Sequence, residues 1–431
     1  MPRQHLPVDV ALVDRLRHAF SLRRNAHLLF APAEGHLRPL DGIRALSILW
    51  VVLFHAGWYA AFHIPPTVYG GMLAAPWMLP VWRGDFGVDV FFVLSGFLIA
   101  GMLIDERQRT GRLELGLFYL RRLMRLWPAL GVAVLADVVV IGDHREMAWA
   151  NLLYVSNFVP ILEAAMGWTW SLAIEEQFYL VCPWLVRALQ PLPGAARLAV
   201  IAAIVTGLCG IGAYVVFAGD FRAFDSEIVI NRDLGRWALG FDQLYTKPWM
   251  RAGPLLAGVA SAYVFRIPGA MERLAKSRML PVIGLVAAIV AAALFTHWPV
   301  VASAPRGVEI AYLATFRTGF GIAIAYVLLL SLSRHPVGAV IGRVLSSRAL
   351  YPFGQLAYSA YLLNPIVTHM VDHVLAPFVW LAGAPPMALF LPFDMGGTFV
   401  AAAGMYVLVE RPFMELRPRA ARSDSRQPAS P

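Results

Sequence analysis

The chain has 431 residues, of which 59% are hydrophobic and only 15% charged, with a mean hydropathy of +0.62. That balance excludes an ordinary soluble domain and a disordered chain. The formal net charge of +9 comes with no basic stripe interleaved with aromatics, so nucleic acid is not an expected partner. The two cysteines, Cys182 and Cys209, can build neither a disulfide framework nor a zinc site, and no metal is expected.

Taken in chain order, the first forty residues are too basic and too interrupted for a cleavable signal peptide, so the first span is expected to serve as its own signal. Residues 8–20 carry helical periodicity with basic residues following, which suits an arm on the anionic inner leaflet; a tail with incidental periodicity is the bland alternative. Runs long enough to cross a bilayer lie near 44–61, 86–104, 125–141, 171–189, 197–218, 250–265, 279–297, 309–332, 354–377 and 388–409. The run 149–162 is too short and too broken to span, and whether it is re-entrant stays open. The expected fold is therefore all-α, a polytopic transmembrane bundle of about ten spans in the cell membrane. Most Lys and Arg fall in the N-terminal arm, the 105–125 and 266–278 loops and the C-terminal tail, which favours an N-in, C-in orientation. Residues 1–37 form a cytoplasmic arm, 38–415 the transmembrane domain, and 416–431 a disordered cytoplasmic tail.

Polar residues inside such a chain are costly and mark function by default. Arg44 and His55 lie eleven residues apart in one apolar stretch, which puts both on one helix face, roughly 16 Å apart along the axis. Singly, Arg44 can snorkel and His55 can be a packed histidine; together they are harder to dismiss. Asp85 and Asp89 precede the apolar run 90–99. Arg122 and Arg125 share one face at the start of the third span, where the alternative role is that of positive-inside anchors. Trp170, Ser171, Glu175, Glu176 and Tyr179 open the fourth span, with Ser171, Glu175 and Tyr179 forming a stripe. Two adjacent carboxylates cannot both face lipid cheaply. Glu410 and Arg411 close the last span, where a structural ion pair is the plainer reading.

The segments RPLDGIRALSILWVVLFH (38–55), FGVDVFFVLSGFLI (86–99), FYLRRLMRLWP (118–128), WSLAIEEQFYL (170–180), AYSAYLLNP (357–365) and VLVERPF (407–413) follow one another in this order. Together they resemble the successive signatures of the integral-membrane acyltransferase-3 family, which includes polysaccharide O-acetyltransferases and the nose-resistant-to-fluoxetine proteins. The likeness covers about residues 38–415. It implies transfer of an acyl group, acetyl in the polysaccharide branch, from cytoplasmic acyl-CoA to a hydroxyl of a carbohydrate or lipid-linked acceptor at the outer face. The family's arginine-ten-residues-histidine signature falls on Arg44 and His55, its Arg-x-x-Arg signature on Arg122 and Arg125, and its Trp-Ser-Leu-x-x-Glu element on Trp170, Ser171 and Glu175. Two features depart from the bacterial pattern. Family members often carry histidine where Asn364 stands, so that ring's role is absent or shifted to His369 or His373. The segment Tyr245 to Arg251 resembles the nose-resistant branch more closely, which leaves the acceptor class open.

The same residues form a plausible acyl-transfer device on their own. Arg122 and Arg125 offer bidentate contacts to the phosphates of coenzyme A, and Arg44 can extend that cradle. A hydroxyl is a poor nucleophile at neutral pH, and histidine suits the general base it needs. His55 is that candidate, with Glu175 expected to orient it in the manner of a triad without its serine. Alternatively, His55 attacks the thioester and carries a transient acyl group. Asp89, Trp170, Ser171, Glu176 and Arg251 are expected to support the site. No Walker loop, Rossmann fingerprint or metalloprotease motif is present, so no bound cofactor is expected, and acyl-CoA enters as the donor substrate that the resemblance implies. The rival class is a transporter or channel using Arg44, His55 and Glu175 as a proton or substrate pathway.

Overall fold

A computed structural model describes residues 8–31, 37–61, 63, 75, 83–222, 233–297, 304–378 and 386–418. The tail expected to be disordered falls outside these from residue 419 on, as does most of the middle of the loop 218–249. The described residues form an all-helical bundle without strands.

Ten helices answer to the ten apolar runs: α3 (Arg38–Ala61), α4 (Phe86–Thr110), α5 (Leu115–Val140), α7 (Trp170–Leu189), α8 (Gly194–Ala218), α10 (Pro248–Arg266), α12 (Leu280–Thr296), α13 (Arg306–Ser331), α15 (Tyr351–Leu375) and α16 (Pro386–Met405). Shorter helices fill the order: α1 (Val8–Ala19), α2 (Leu22–Leu28), α6 (Ala148–Leu152), α9 (Leu234–Gly240), α11 (Ala270–Lys276), α14 (Pro336–Leu345) and α17 (Arg411–Leu416). Among the described residues, six helices are by themselves long and apolar enough to cross a membrane; a seventh qualifies if α10 and α11, bent 85° at their junction, count as one span. α7 and α15 are diluted by the polar groups that make them interesting: Glu175, Glu176 and Arg187 in one, Gln355, Asn364 and Asp372 in the other. The chain is a multi-pass membrane protein.

The runs underestimate helix length at their polar ends. α3 begins at Arg38, so Arg44 sits almost two turns inside it, and α5 begins at Leu115, which places Arg122 and Arg125 within the helix. The 149–162 stretch is the short α6 followed by single 3-10 turns at Ser156–Phe158 and Ile161–Glu163. Helical periodicity in the arm is realised as α1, which packs on α17, while Arg24 of α2 reaches Glu415 at 3.3 Å.

α4 is the centre of the bundle. Phe86, Phe92, Leu94, Ile99 and Leu103 are at most 2% exposed, as an all-round apolar helix requires. Two apolar cores meet along it, one with α7, α10 and α13, the other with α5, α7 and α15. Its crossing with α10 is a backbone contact: a Cβ on Gly96 would fall 2.0 Å from the carbonyl oxygen of Leu255, and one on Gly258 would fall 2.2 Å from that of Val93. Small residues permit this approach, and in lipid such packing substitutes for the missing hydrophobic drive between helices. α8 and α12 instead turn Tyr214, Phe217, Ile283 and Val286 outward, a surface suited to hydrocarbon.

Candidate functional site

The expected residues resolve into three neighbouring groups. The first lines a cavity of about 150 Å³ between α3, α4, α5, α7 and α15. Arg44, Arg122 and Arg125 occupy one end with Glu410; Ser95, Ser171, Glu175, Tyr179 and Tyr361 line its walls. The stripe at 171, 175 and 179 does face one place. Tyr179 Oη donates to Ser95 Oγ at 3.2 Å, and Ser95 Oγ donates to Glu175 Oε1 at 2.8 Å. Tyr361 Oη gives its proton to the Trp168 carbonyl at 2.6 Å, so Ser171 Oγ must be the donor in its 2.6 Å contact with Tyr361. Glu176 is not among the lining residues; its Oε1 is buried without a hydrogen bond.

A second cavity, about 330 Å³ and lined by Glu106, Glu114, Arg121, Arg122, Arg125 and Arg417, shares Arg122 and Arg125 with the first. Arg44 is ion-paired to Asp41 at 3.0 Å. Among the described residues Arg122 and Arg125 have no carboxylate in ion-pair range: Arg122 lies over the rings of Tyr179 and Phe118, and the Nε of Arg125 is buried without a partner. Arg417, beyond the last span, is held below the usual guanidinium range by burial and by Arg125, Arg121 and Arg411 around it. Unpaired guanidiniums so close together repel one another, and an anion between them relieves that cost. This is the part of the molecule able to hold a polyanionic group.

The second group is a buried ionic clasp. Asp89 Oδ2 accepts from Arg317 Nη1 at 2.7 Å, Arg317 also donates to Asp85, and Arg251 Nη2 lies 3.2 Å from Asp89 Oδ1. Arg251 is fully buried and stacks on Trp170 and Tyr245 at 4.8 and 4.6 Å. Asp89, Trp170 and Arg251 are thus brought together, yet they brace α4, α7, α10 and α13 and do not reach the arginines of the cavity mouth. Arg317 and Asp85 complete the clasp. Their signal was the spacing of Asp85 and Asp89 at i and i+4, with a lone arginine inside an apolar run.

His55 forms the third. It is half-buried and does not line the cavity. Its Nδ1 lies 2.6 Å from Asn364 Oδ1, one turn along α15 from Tyr361. The expectation that Glu175 orients the imidazole is therefore corrected: Glu175 is bonded to Ser95, and the ring's partner is the Asn364 amide. Nor does that position pass its role to His369 or His373. His373 is exposed, and Asn364 itself makes the contact. The expected Glu410–Arg411 pair is also absent. Glu410 accepts from Ser359 at 2.7 Å and Arg411 pairs with Glu415 at 3.4 Å, because consecutive helical residues point about 100° apart. No group of three or more His, Cys, Asp or Glu side chains among the described residues could hold a metal ion.

Comparison with known proteins agrees with the motifs. Residues 38–410 match the family described as an acyltransferase domain. The O-acetyltransferase OatA of Staphylococcus aureus (strain NCTC 8325 / PS 47) is 28% identical over 357 residues, covering 77% of this chain and 51% of that protein. The peptidoglycan O-acetyltransferase OatA of Listeria monocytogenes serovar 1/2a is 28% identical over 397 residues, covering 85% of this chain and 56% of that protein. The chain spans about half the length of these curated relatives. No solved structure matches it.

Proposed function

From the premise that this chain belongs to the acyltransferase-3 family, we propose that it is a membrane O-acyltransferase taking a short acyl group, acetyl the simplest, from acyl-CoA to a hydroxyl of a carbohydrate or lipid-linked acceptor. The observation that carries this reading is the funnel at the arginines. A vestibule bearing Arg121, Arg122, Arg125 and Arg417 adjoins, through Arg122 and Arg125, a cavity whose lining includes Ser171 and Tyr361, one turn of α15 from Asn364 and His55. Coenzyme A has that shape: a phosphate-rich head and a long thin arm ending at the thioester. Bidentate guanidinium contacts suit the head, and the adjoining cavity lined by Ser95, Ser171, Glu175 and Tyr361 is open to the arm.

In the chemistry proposed, the acceptor oxygen attacks the thioester carbonyl carbon as its proton passes to His55 Nε2. The C–S bond breaks, and the imidazolium returns the proton to the leaving sulfur, so free CoA and an ester result. In a two-step variant Nε2 attacks the thioester carbonyl and expels the CoA thiolate; the acceptor oxygen then attacks the acyl-imidazole, the C–N bond breaks, and the acceptor's proton ends on the sulfur. Both need the same free nitrogen. The distribution of basic residues supports N-in, C-in topology with the vestibule open to the cytoplasm and the acceptor approaching from the other face. The name of the Listeria relative makes cell-wall glycan the first acceptor to try.

The test uses purified protein with labelled acetyl-CoA and glycan acceptors. Free CoA must appear in step with labelled ester, and both must vanish in His55→Ala. Binding of acetyl-CoA without CoA release, or proton flux in sealed vesicles without any ester, would refute the enzyme in favour of a transport protein.

A further inference from the structure

We infer that Asn364 is a positioning residue that fixes the tautomer of His55, leaving Nε2 unprotonated and free for the transfer step. The inference rests on the proposed role of His55, but its support is independent: the hydrogen-bond directions around one buried amide.

Asn364 is fully buried, as are Thr368 and Thr398, the two hydroxyls that flank it. Thr368 Oγ1 donates its single proton to the Asn364 backbone carbonyl at 2.9 Å. It can then only accept from the Asn364 side chain, and the amide nitrogen lies 3.2 Å away. Thr398 Oγ1 takes the second amide hydrogen at 3.1 Å. Turning the amide over would set Oδ1 against a Thr368 oxygen with no proton to give. The orientation is therefore decided by Thr368, and it aims Oδ1, an acceptor, at the imidazole. An acceptor 2.6 Å from Nδ1 requires Nδ1–H. In the neutral ring the other nitrogen is then a lone pair.

A neutral orienter differs from the carboxylate of a Ser-His-Asp triad in one respect. It selects the tautomer without adding an anion beside the ring, so it places the proton but does little to hold the imidazolium. In a bilayer interior this avoids a second buried charge. The helix supports the arrangement, because Thr368, one turn on in α15, bonds the Asn364 carbonyl and so fixes its own hydroxyl against the amide.

The experiment compares Asn364→Leu, Asn364→Asp and Thr398→Val in detergent, reading kcat, the KM for acetyl-CoA and direct acetyl-CoA binding. Leucine keeps the volume and removes the acceptor; kcat should fall on the order of 10–100-fold, as when partners orienting a functional imidazole are removed elsewhere, with donor KM and binding unchanged. Aspartate restores an acceptor while losing both amide donors, so it should retain at least tenfold more kcat than leucine. Thr398→Val leaves the acceptor in place and should lose only a few-fold. A merely structural asparagine predicts the opposite order, since aspartate both buries a charge and drops two hydrogen bonds. Equal kcat for the leucine and aspartate variants, whether both high or both low, overturns the inference, as does a loss confined to donor binding. Persistent transfer by His55→Ala overturns the proposed function instead; an inactive His55→Ala with an unimpaired Asn364→Leu overturns the tautomer lock alone.

Discussion

Asp89→Ala is expected to be far more destabilising than Asp85→Ala, although both remove a carboxylate from Arg317. The difference lies in what each leaves behind. Without Asp85, Arg317 keeps its 2.7 Å bond to Asp89, and Arg83, which pairs with Asp85 at 3.2 Å, keeps the Thr296 carbonyl, so neither cation is stranded and the loss is about 1–3 kcal/mol. Without Asp89, Arg251 loses the carboxylate 3.2 Å away, its sole ion-pair partner among the described residues. None of its three side-chain nitrogens has a hydrogen bond, and the residue is fully buried. Stranding such a charge costs about 3–5 kcal/mol, of which the stacking on Trp170 and Tyr245 remains as a partial offset. The gap of about 2 kcal/mol corresponds to roughly a thirtyfold difference in the folded-to-unfolded ratio. Denaturation in mixed micelles, followed by tryptophan fluorescence, measures it. The double variant Asp89→Ala with Arg251→Met should recover most of the loss, because the stranded cation is gone. If Asp89→Ala is no worse than Asp85→Ala, or if Arg251→Met gives no recovery, the clasp does not work as a charge balance and the reasoning fails.

His55→Ala and His55→Gln should each abolish transfer while donor binding persists; substantial turnover by either removes His55 from the chemistry. Arg122→Ala and Arg125→Ala should each weaken acyl-CoA binding by about 1–3 kcal/mol, with lysine rescuing only in part because it lacks the fork; normal binding by titration would make them topological anchors. With Cys182 and Cys209 replaced, cysteines at the exposed positions Arg112 and Glu163 should react with impermeant reagent from opposite sides of oriented vesicles, and labelling from one side would overturn the topology. Gly96→Val should prevent assembly of the bundle, read as loss of monodisperse protein in gel filtration, since its side chain would start 2.0 Å from the Leu255 carbonyl oxygen; tolerance would show that α4 and α10 can part.

The helices were legible because their signal is local: each apolar run is long enough to cover a helix, and all ten fall on one. Their polar ends were not, since Arg38–Ile43 and Leu115–Met124 are helical through packing that hydropathy does not register. The site was legible as a set of residues and misread as a set of contacts. Arg44, Arg122, Arg125 and Glu175 do converge, because a stripe at i, i+4 and an Arg pair at i, i+3 each need only one helix to be aligned. Which side chain meets His55 depends on the placement of α15 against α3, a contact across 309 residues; charge points to Glu175, and geometry puts Asn364 there. Arg317 shows the same limit. An arginine inside an apolar run is costly, but its partners are more than 200 residues away.

The funnel has a kinetic consequence. The two cavities share Arg122 and Arg125, so a donor held as proposed enters past these guanidiniums. Spent coenzyme A keeps every phosphate that gripped the arginines and must back out along its whole length before the next donor can thread in. On the proposed reading, turnover should be paced by withdrawal, and the ratio of acylated to free coenzyme A outside the membrane domain should act as its throttle. Free CoA should compete with acyl-CoA and not with the acceptor, which reaches the histidine from the other side.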